Sequence, residues 1–247
     1  MVFRTGVPRP AAIGLAWLAT LVLAAGPAGA VVGGAEATAE GAVMVLSSKG
    51  GVCSAVVVAP DAVLTAGHCA AAGLEHRVHF RDASGQPVLV AVAARAVHPG
   101  YDAGAIAGRR RSIDLALLRT DTPLPPRFAP ATFSAASPRA GETLTLSGYG
   151  ADTPGDPRST GTFRSVALPV IEPHGPSRIL VWLKGPGRAG GCQGDSGGPV
   201  SDGSGVVAVT AWIGGACGGL TQAVLVAPQR DWLDRTLAGW GGAARWR

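Results

Sequence analysis

Short runs of β-branched and aliphatic residues, each cut off by Gly, Pro, Asp or Ser, recur along this chain, while apolar stripes of helical period are scarce. A side chain branched at Cβ packs well on a pleated strand and the interruptions are turn chemistry, so the pattern restricts the chain to the all-β class. With 247 residues, 37 of them Gly and only 15% charged, it is long enough to bury a real core and is neither disordered nor a coiled coil. Strands are expected near 43–47, 52–58, 77–80, 88–97, 115–119, 143–147, 162–170, 178–183, 205–213 and 222–226. The Pro-rich stretch 120–142 between the fifth and sixth reads as the seam between two β modules. Near the end, Trp232, Leu233 and Leu237 follow Pro228 at helical spacing and precede Gly239, which predicts one short helix docked on the body.

The first 30 residues read as a signal peptide. Arg4 and Arg9 stand ahead of the apolar run 11–25, and Ala28-Gly29-Ala30 supplies the small residues of a cleavage site. The run is short for a membrane span, which needs about 18 apolar residues, so no stable membrane anchor is expected after cleavage and the product would be secreted or periplasmic. Removal of residues 1–30 takes two arginines and no acid, lowering the net charge from +5 to +3. So small an excess gives no argument for a nucleic-acid partner, and the basic cluster Arg109-Arg110-Arg111 reads as a solvated loop. Export also permits disulfides. The four cysteines, Cys53, Cys69, Cys192 and Cys217, allow three pairings, lack the C-x-x-C spacing of zinc sites and read as structural staples. Glu75 and Asp82 do not make a calcium loop, and neither a metal nor a cofactor is expected.

The densest punctuation is "GGCQGDSGGPV" at 190–200, where glycines and a proline surround Ser196. Gly and Pro alone mean a tight turn. A serine presented by such a turn becomes a nucleophile only with a base, a group that orients the base, and donors for an oxyanion. His68, in "LTAGHCAA" after the strand-like "APDAVLTA", is the candidate base, whereas His76, His79, His98 and His174 have no comparable context. Asp114 opens the apolar stretch "DLALL". A carboxylate entering a core is costly unless paired, and an imidazole N–H would serve as the partner.

Together these stretches resemble the trypsin/chymotrypsin family of serine endopeptidases. "VVGG" at 31–34, "TAGHC" at 65–69, "DLALL" at 114–118, "SGYG" at 147–150 and "CQGDSGGPV" at 192–200 occur in family order across the whole chain beyond residue 30. The resemblance implies two packed antiparallel β-barrels, over about 31–122 and about 140–227, followed by a C-terminal helix over about 228–238. It implies His68 as general base, Asp114 as its orienter, Ser196 as nucleophile, and the backbone N–H groups of Gly194 and Ser196 as the oxyanion hole. In the family the residue matching Asp195 turns inward and pairs with the new N-terminal amine, a part that falls here to Val31. Because Ala30 ends the signal-cleavage pattern, export itself is expected to generate that amine, without the basic propeptide site usual in the family; the alternative is cleavage after Ala25, which would leave "GPAGA" as a short propeptide.

The resemblance further implies disulfides Cys53–Cys69 and Cys192–Cys217, a sparse set of the bacterial type. At the specificity pocket it places Gly190 on the floor, Trp212 and Ile213 on one wall and Ala223 further in. An uncharged floor argues against Lys or Arg before the scissile bond, since a buried cation would lack a partner. Ile213 at the mouth narrows the slot, so a small or medium apolar residue is expected there; turned to solvent instead, it would leave room for an aromatic. Ala211 departs from the family, which has a serine hydrogen-bonded to the triad carboxylate. The expected partners are peptide or protein substrates and protein protease inhibitors, and the expected state is a monomer. The competing readings are a silent protease-fold binding protein and a simple esterase.

Overall fold

The computed structural model describes residues 1–3, 31–108 and 110–247, so the expected signal peptide, beyond its first three residues, lies outside the described residues. A two-residue strand, β1 (Ala35–Glu36), leads into a closed barrel made of β2 (Ala42–Ser47), β3 (Val52–Ala59), β4 (Ala62–Thr65), β5 (His76–Arg81), β6 (Pro87–Val97) and β7 (Ala116–Thr120). Its strand order is β2-β3-β4-β7-β6-β5, closed by antiparallel pairing of β5 with β2. The chain crosses through β8 (Thr132–Phe133) to a second barrel of β9 (Thr143–Gly148), β10 (Arg164–Ile171), β11 (Leu180–Leu183), β12 (Pro199–Ser201), β13 (Val206–Gly214) and β14 (Leu220–Leu225). There the order is β12-β9-β10-β11-β14-β13, and pairing of β12 with β13 closes the ring. The helix α1 (Arg230–Gly239) and a last strand β15 (Arg245–Trp246) follow, β15 running parallel to β8.

The apolar runs are continuous because many strands are buried on both faces. On β3, Ala55 and Val57 point into the first barrel, while Val56 and Val58 join the cluster between the barrels. On β14, Ala223 and Leu225 fill the second barrel while Val224 joins the same seam. Leu233 and Leu237 of α1 are fully buried in that seam, and Trp232 sets its ring edge-on to His98, 4.7 Å away. The helix thus covers the joint, as its apolar spacing predicts.

The expected strands omit β1, β8 and β15, each of two residues, and β12, which is three residues long and hidden in the Gly/Pro punctuation after Ser196; β4, four residues long, falls in the stretch before His68 read as strand-like. β11 begins two residues later than expected because the Ser177 hydroxyl accepts the N–H groups of Ile179 and Leu180, a local turn that competes with the ladder.

Candidate active site

Directly after β4 the chain tightens into a 3-10 turn, Gly67–Ala70, that swings His68 toward the seam. Its Nδ1 lies 2.7 Å from Asp114 Oδ2, and its backbone N–H donates to Asp114 Oδ1 at 2.9 Å. With the carboxylate ionised, Nδ1 carries the proton and Nε2 keeps its lone pair. Gly67 makes this possible: a Cβ there would stand 3.0 Å from Asp114 Oδ1 and 3.1 Å from the Tyr101 ring. Burial, with the charges of Asp114 and Asp102, pushes the Tyr101 hydroxyl up, so it stays protonated beside the carboxylate.

Ser196 comes from the other barrel, on the loop entering β12, and is half-buried. Gly194 takes φ +97°, and a Cβ on it would approach Gly150 Cα to 2.9 Å; Gly197 takes φ +84°, where a Cβ would strike the Ser54 carbonyl and Thr65 Oγ1 at 2.1 Å. Both positions exclude side chains on conformation and space together. Ser54, fully buried on β3, holds the loop across the seam. Its N–H donates to the Ser196 carbonyl at 2.8 Å, its hydroxyl donates to the Gly194 carbonyl at 2.8 Å, and the same oxygen accepts the Tyr149 N–H at 2.9 Å. Sequence reasoning missed Ser54. The available signal was a lone hydroxyl ahead of the apolar run "AVVVA", since a buried polar group must be bonded to something.

Asp195 is completely buried and turned away from the cleft; its carboxylate accepts the N–H groups of Gly150 and Cys192, each at 2.8 Å. Burial pushes its pKa up to about 7, and the two N–H bonds oppose that rise. Val31 is also fully buried, inside the second barrel's cluster, with φ +49°, a conformation rare for a β-branched residue. Val32 accepts the Gly190 N–H at 3.0 Å and packs on Ala151, Cys192 and Cys217, the neighbours of the groups that hold Asp195.

Of the three possible cysteine pairings the structure has Cys53–Cys69 and Cys192–Cys217. The first fastens β3 to the His68 turn and the second fastens the Ser196 loop to the segment after β13. The sulfurs of Cys53 and Cys69 lie near a His68 nitrogen, but bonded to each other they offer no thiolate to a metal.

His68, Asp114, Ser196, Trp212 and Ile213 share one cleft of about 790 Å³. Gly190 and Ala223, expected at the slot, are not among the residues that line this cleft. Gly190 is buried, where a Cβ would meet the Gly219 carbonyl at 2.8 Å, and Ala223 is buried in the second barrel's core. Ala223 shares a face of β14 with Thr221, whose hydroxyl accepts the Gly191 N–H at 3.0 Å. Ile213 turns inward, its Cδ1 3.4 Å from where a Cβ on Gly191 would stand. Gln222, opposite Trp212 in the ladder, lines the cleft instead.

The family model described as Trypsin matches residues 31–233. Kallikrein-15 of Homo sapiens is 28% identical over 215 residues, covering 75% of this chain and 81% of its own length. Trypsin iota of Drosophila melanogaster is 28% identical over 180 residues, covering 65% of this chain and 68% of its own. Among solved structures, neuropsin, described as a serine protease expressed in the limbic system of mouse brain, superposes with a TM-score of 0.70 over 83% of this chain and 98% of its own, at 22% identity, a likeness of fold.

Proposed function

This chain belongs to the trypsin family and is a serine endopeptidase, and on that premise we propose that it cleaves peptide bonds through Ser196, His68 and Asp114, with a small apolar residue before the scissile bond. The observation that carries the reading is the 2.7 Å contact between His68 Nδ1 and Asp114 Oδ2 in the same cleft as Ser196. Ser196 Oγ attacks the peptide carbonyl carbon while its proton passes to His68 Nε2, and Asp114 stabilises the resulting imidazolium. The negative oxygen of the tetrahedral intermediate takes the N–H groups of Gly194 and Ser196. His68 then gives its proton to the leaving amine as the C–N bond breaks. Water, activated by the same imidazole, hydrolyses the acyl-enzyme. Such oxyanion donors contribute about 3–4 kcal/mol each where they have been removed by mutation.

The substrate range follows from Ile213. With its side chain turned toward Gly191, the space before the scissile bond suits Gly, Ala or a similarly small residue and offers no anion to a lysine or arginine. Ile213→Gly is expected to open the slot and shift preference toward large apolar residues by about tenfold or more in relative kcat/KM, the scale of one or two methylene groups in an apolar pocket. Profiling both proteins against a peptide library reads this directly, and identical profiles would refute the role given to Ile213. The broader reading is tested by a sulfonyl fluoride. Mass spectrometry should locate a single adduct on Ser196, with loss of peptide hydrolysis; an unlabelled Ser196 would mean a silent protease fold.

The same reading includes export. Processing after Ala30 would leave Val31 as the amino terminus, with its amine turned to Asp195. It is supported by the buried Val31 and by Val32 packed beside Cys192, the residue whose N–H holds Asp195. No helix among the described residues is long and apolar enough to cross a membrane.

A further inference from the structure

A second groove, of about 540 Å³, shares no lining residue with the cleft that holds Ser196. It reaches the nucleophile loop through Val52, whose Cγ1 lies 3.5 Å from where a Cβ on Gly194 would stand. Tyr149 reaches the same loop through the Ser54 hydroxyl, which its N–H shares with the Gly194 carbonyl. From Val52 and Tyr149 an apolar floor extends to Phe80 and Phe128, whose ring centroids are 5.0 Å apart.

The far rim is basic. His79, Arg81 and Arg127 line it, and no Asp or Glu does. The Arg127 guanidinium lies over both aromatic rings, 5.4 Å from the Phe80 centroid and 4.8 Å from that of Phe128, and donates to the Arg81 carbonyl. Among the described residues neither Arg81 nor Arg127 has a carboxylate partner. A guanidinium fixed on aromatic faces keeps its remaining N–H groups pre-aimed, so less side-chain freedom is lost when it binds a carboxylate.

We propose that this groove receives the leaving-group half of the substrate and selects an acidic residue downstream of the scissile bond, with apolar residues between the bond and the acid. The inference rests on the endopeptidase reading. The acyl half occupies the cleft walled by Trp212 and Ile213, and the other half departs past Gly194, where Val52 opens the groove. A chain lying extended along the floor brings its apolar side chains onto Val52 and Phe80 and a carboxylate to Arg127. Charge complementarity decides the choice, because two arginines and no carboxylate line the rim.

The test compares substrates with and without a downstream half. A short acyl p-nitroanilide carries no residues beyond the scissile bond; internally quenched peptides carry a glutamate or a lysine walked along that side. The unmodified protein is expected to prefer glutamate at one downstream position by about three- to fivefold in kcat/KM, the worth of one solvent-accessible ion pair, with the preference lost at high salt. Arg127→Lys should keep most of the preference, Arg127→Glu should reverse it, and both should hydrolyse the p-nitroanilide at the unmodified rate. Equal rates for glutamate and lysine at every position would overturn the proposal, as would a loss on the p-nitroanilide matching the loss on the peptides. If neither substrate is cleaved, the endopeptidase reading fails instead. The groove itself is still read by titrating the labelled peptide pair into Ser196→Ala protein, where coincident anisotropy curves refute it. A concentration-dependent dimer in sedimentation that abolishes the discrimination would assign the groove to a second copy of the chain and also overturn the proposal.

Discussion

Ser196→Ala is expected to lower kcat/KM for peptide hydrolysis by about 10⁴- to 10⁶-fold, with the melting temperature hardly changed. The size follows from what the substitution removes. Without Oγ there is no acyl-enzyme, and what is left is water attack on a carbonyl polarised by the Gly194 and Ser196 N–H groups. Stability is spared because Ser196 is half-buried at the cleft surface and its backbone carbonyl, not its side chain, takes the Ser54 N–H. Residues that act as one unit are not additive, so the double variant with His68→Ala should be scarcely slower than Ser196→Ala alone. Steady-state assays on active-site-titrated protein make the comparison. Hydrolysis persisting near the unmodified rate in Ser196→Ala would move the chemistry to another residue.

The second large effect concerns the amino terminus. When residue 31 remains joined to residue 30, Asp195 lies in a fully buried site that holds its pKa up near 7, against an ordinary 3.8. A carboxyl raised in this way contributes stability that is complete below its unfolded pKa and is lost as pH rises through the folded one. By pH 8 the loss is about 4 kcal/mol, a large part of a typical domain's stability. A free α-amine on Val31 would pair with the carboxylate and restore that amount. At pH 8 the chain beginning at Val31 should therefore melt roughly 8–16 °C above the same chain with residues left in front of it. At pH 4 the gap should shrink sharply, because the carboxyl is then largely protonated and needs no partner. It should narrow again at strongly alkaline pH as the amine loses its proton, since pairing raises the amine above its free value of about 8. Asp195→Asn in the extended chain should remove the decline between pH 4 and 8. Scanning calorimetry across that range decides the matter: a gap of equal size at both ends would exclude Asp195 as its source.

Much of this architecture was legible in the chain. The two-sided burial of "AVVVA" on β3 and of "AVLV" along β14 shows in the sequence as continuous apolar runs, and the α1 face shows in the spacing of Leu233 and Leu237. What could not be read is direction at the cleft wall. Between Thr210 and Trp212 the β13–β14 ladder skips a residue, so Trp212 stands opposite Gln222; in an unbroken ladder it would stand opposite Thr221. A bulge has no signature in "VTAWIG", and its presence decides which side chains line the cleft. Ser54 escaped for a related reason: the bonds of its N–H and its hydroxyl all cross to the other barrel, where local patterning carries no information.

That crossing has a wider consequence. His68 and Asp114 belong to one barrel and Ser196 to the other, with Ser54 among the polar ties between them. Each half could keep its own ladder intact while sliding a fraction of an ångström against its neighbour, and the proton path proposed from Ser196 to His68 would be broken without any strand coming apart. The joint is thus an independent point of vulnerability, and a molecule that wedged itself there would silence the enzyme with its mouth left open.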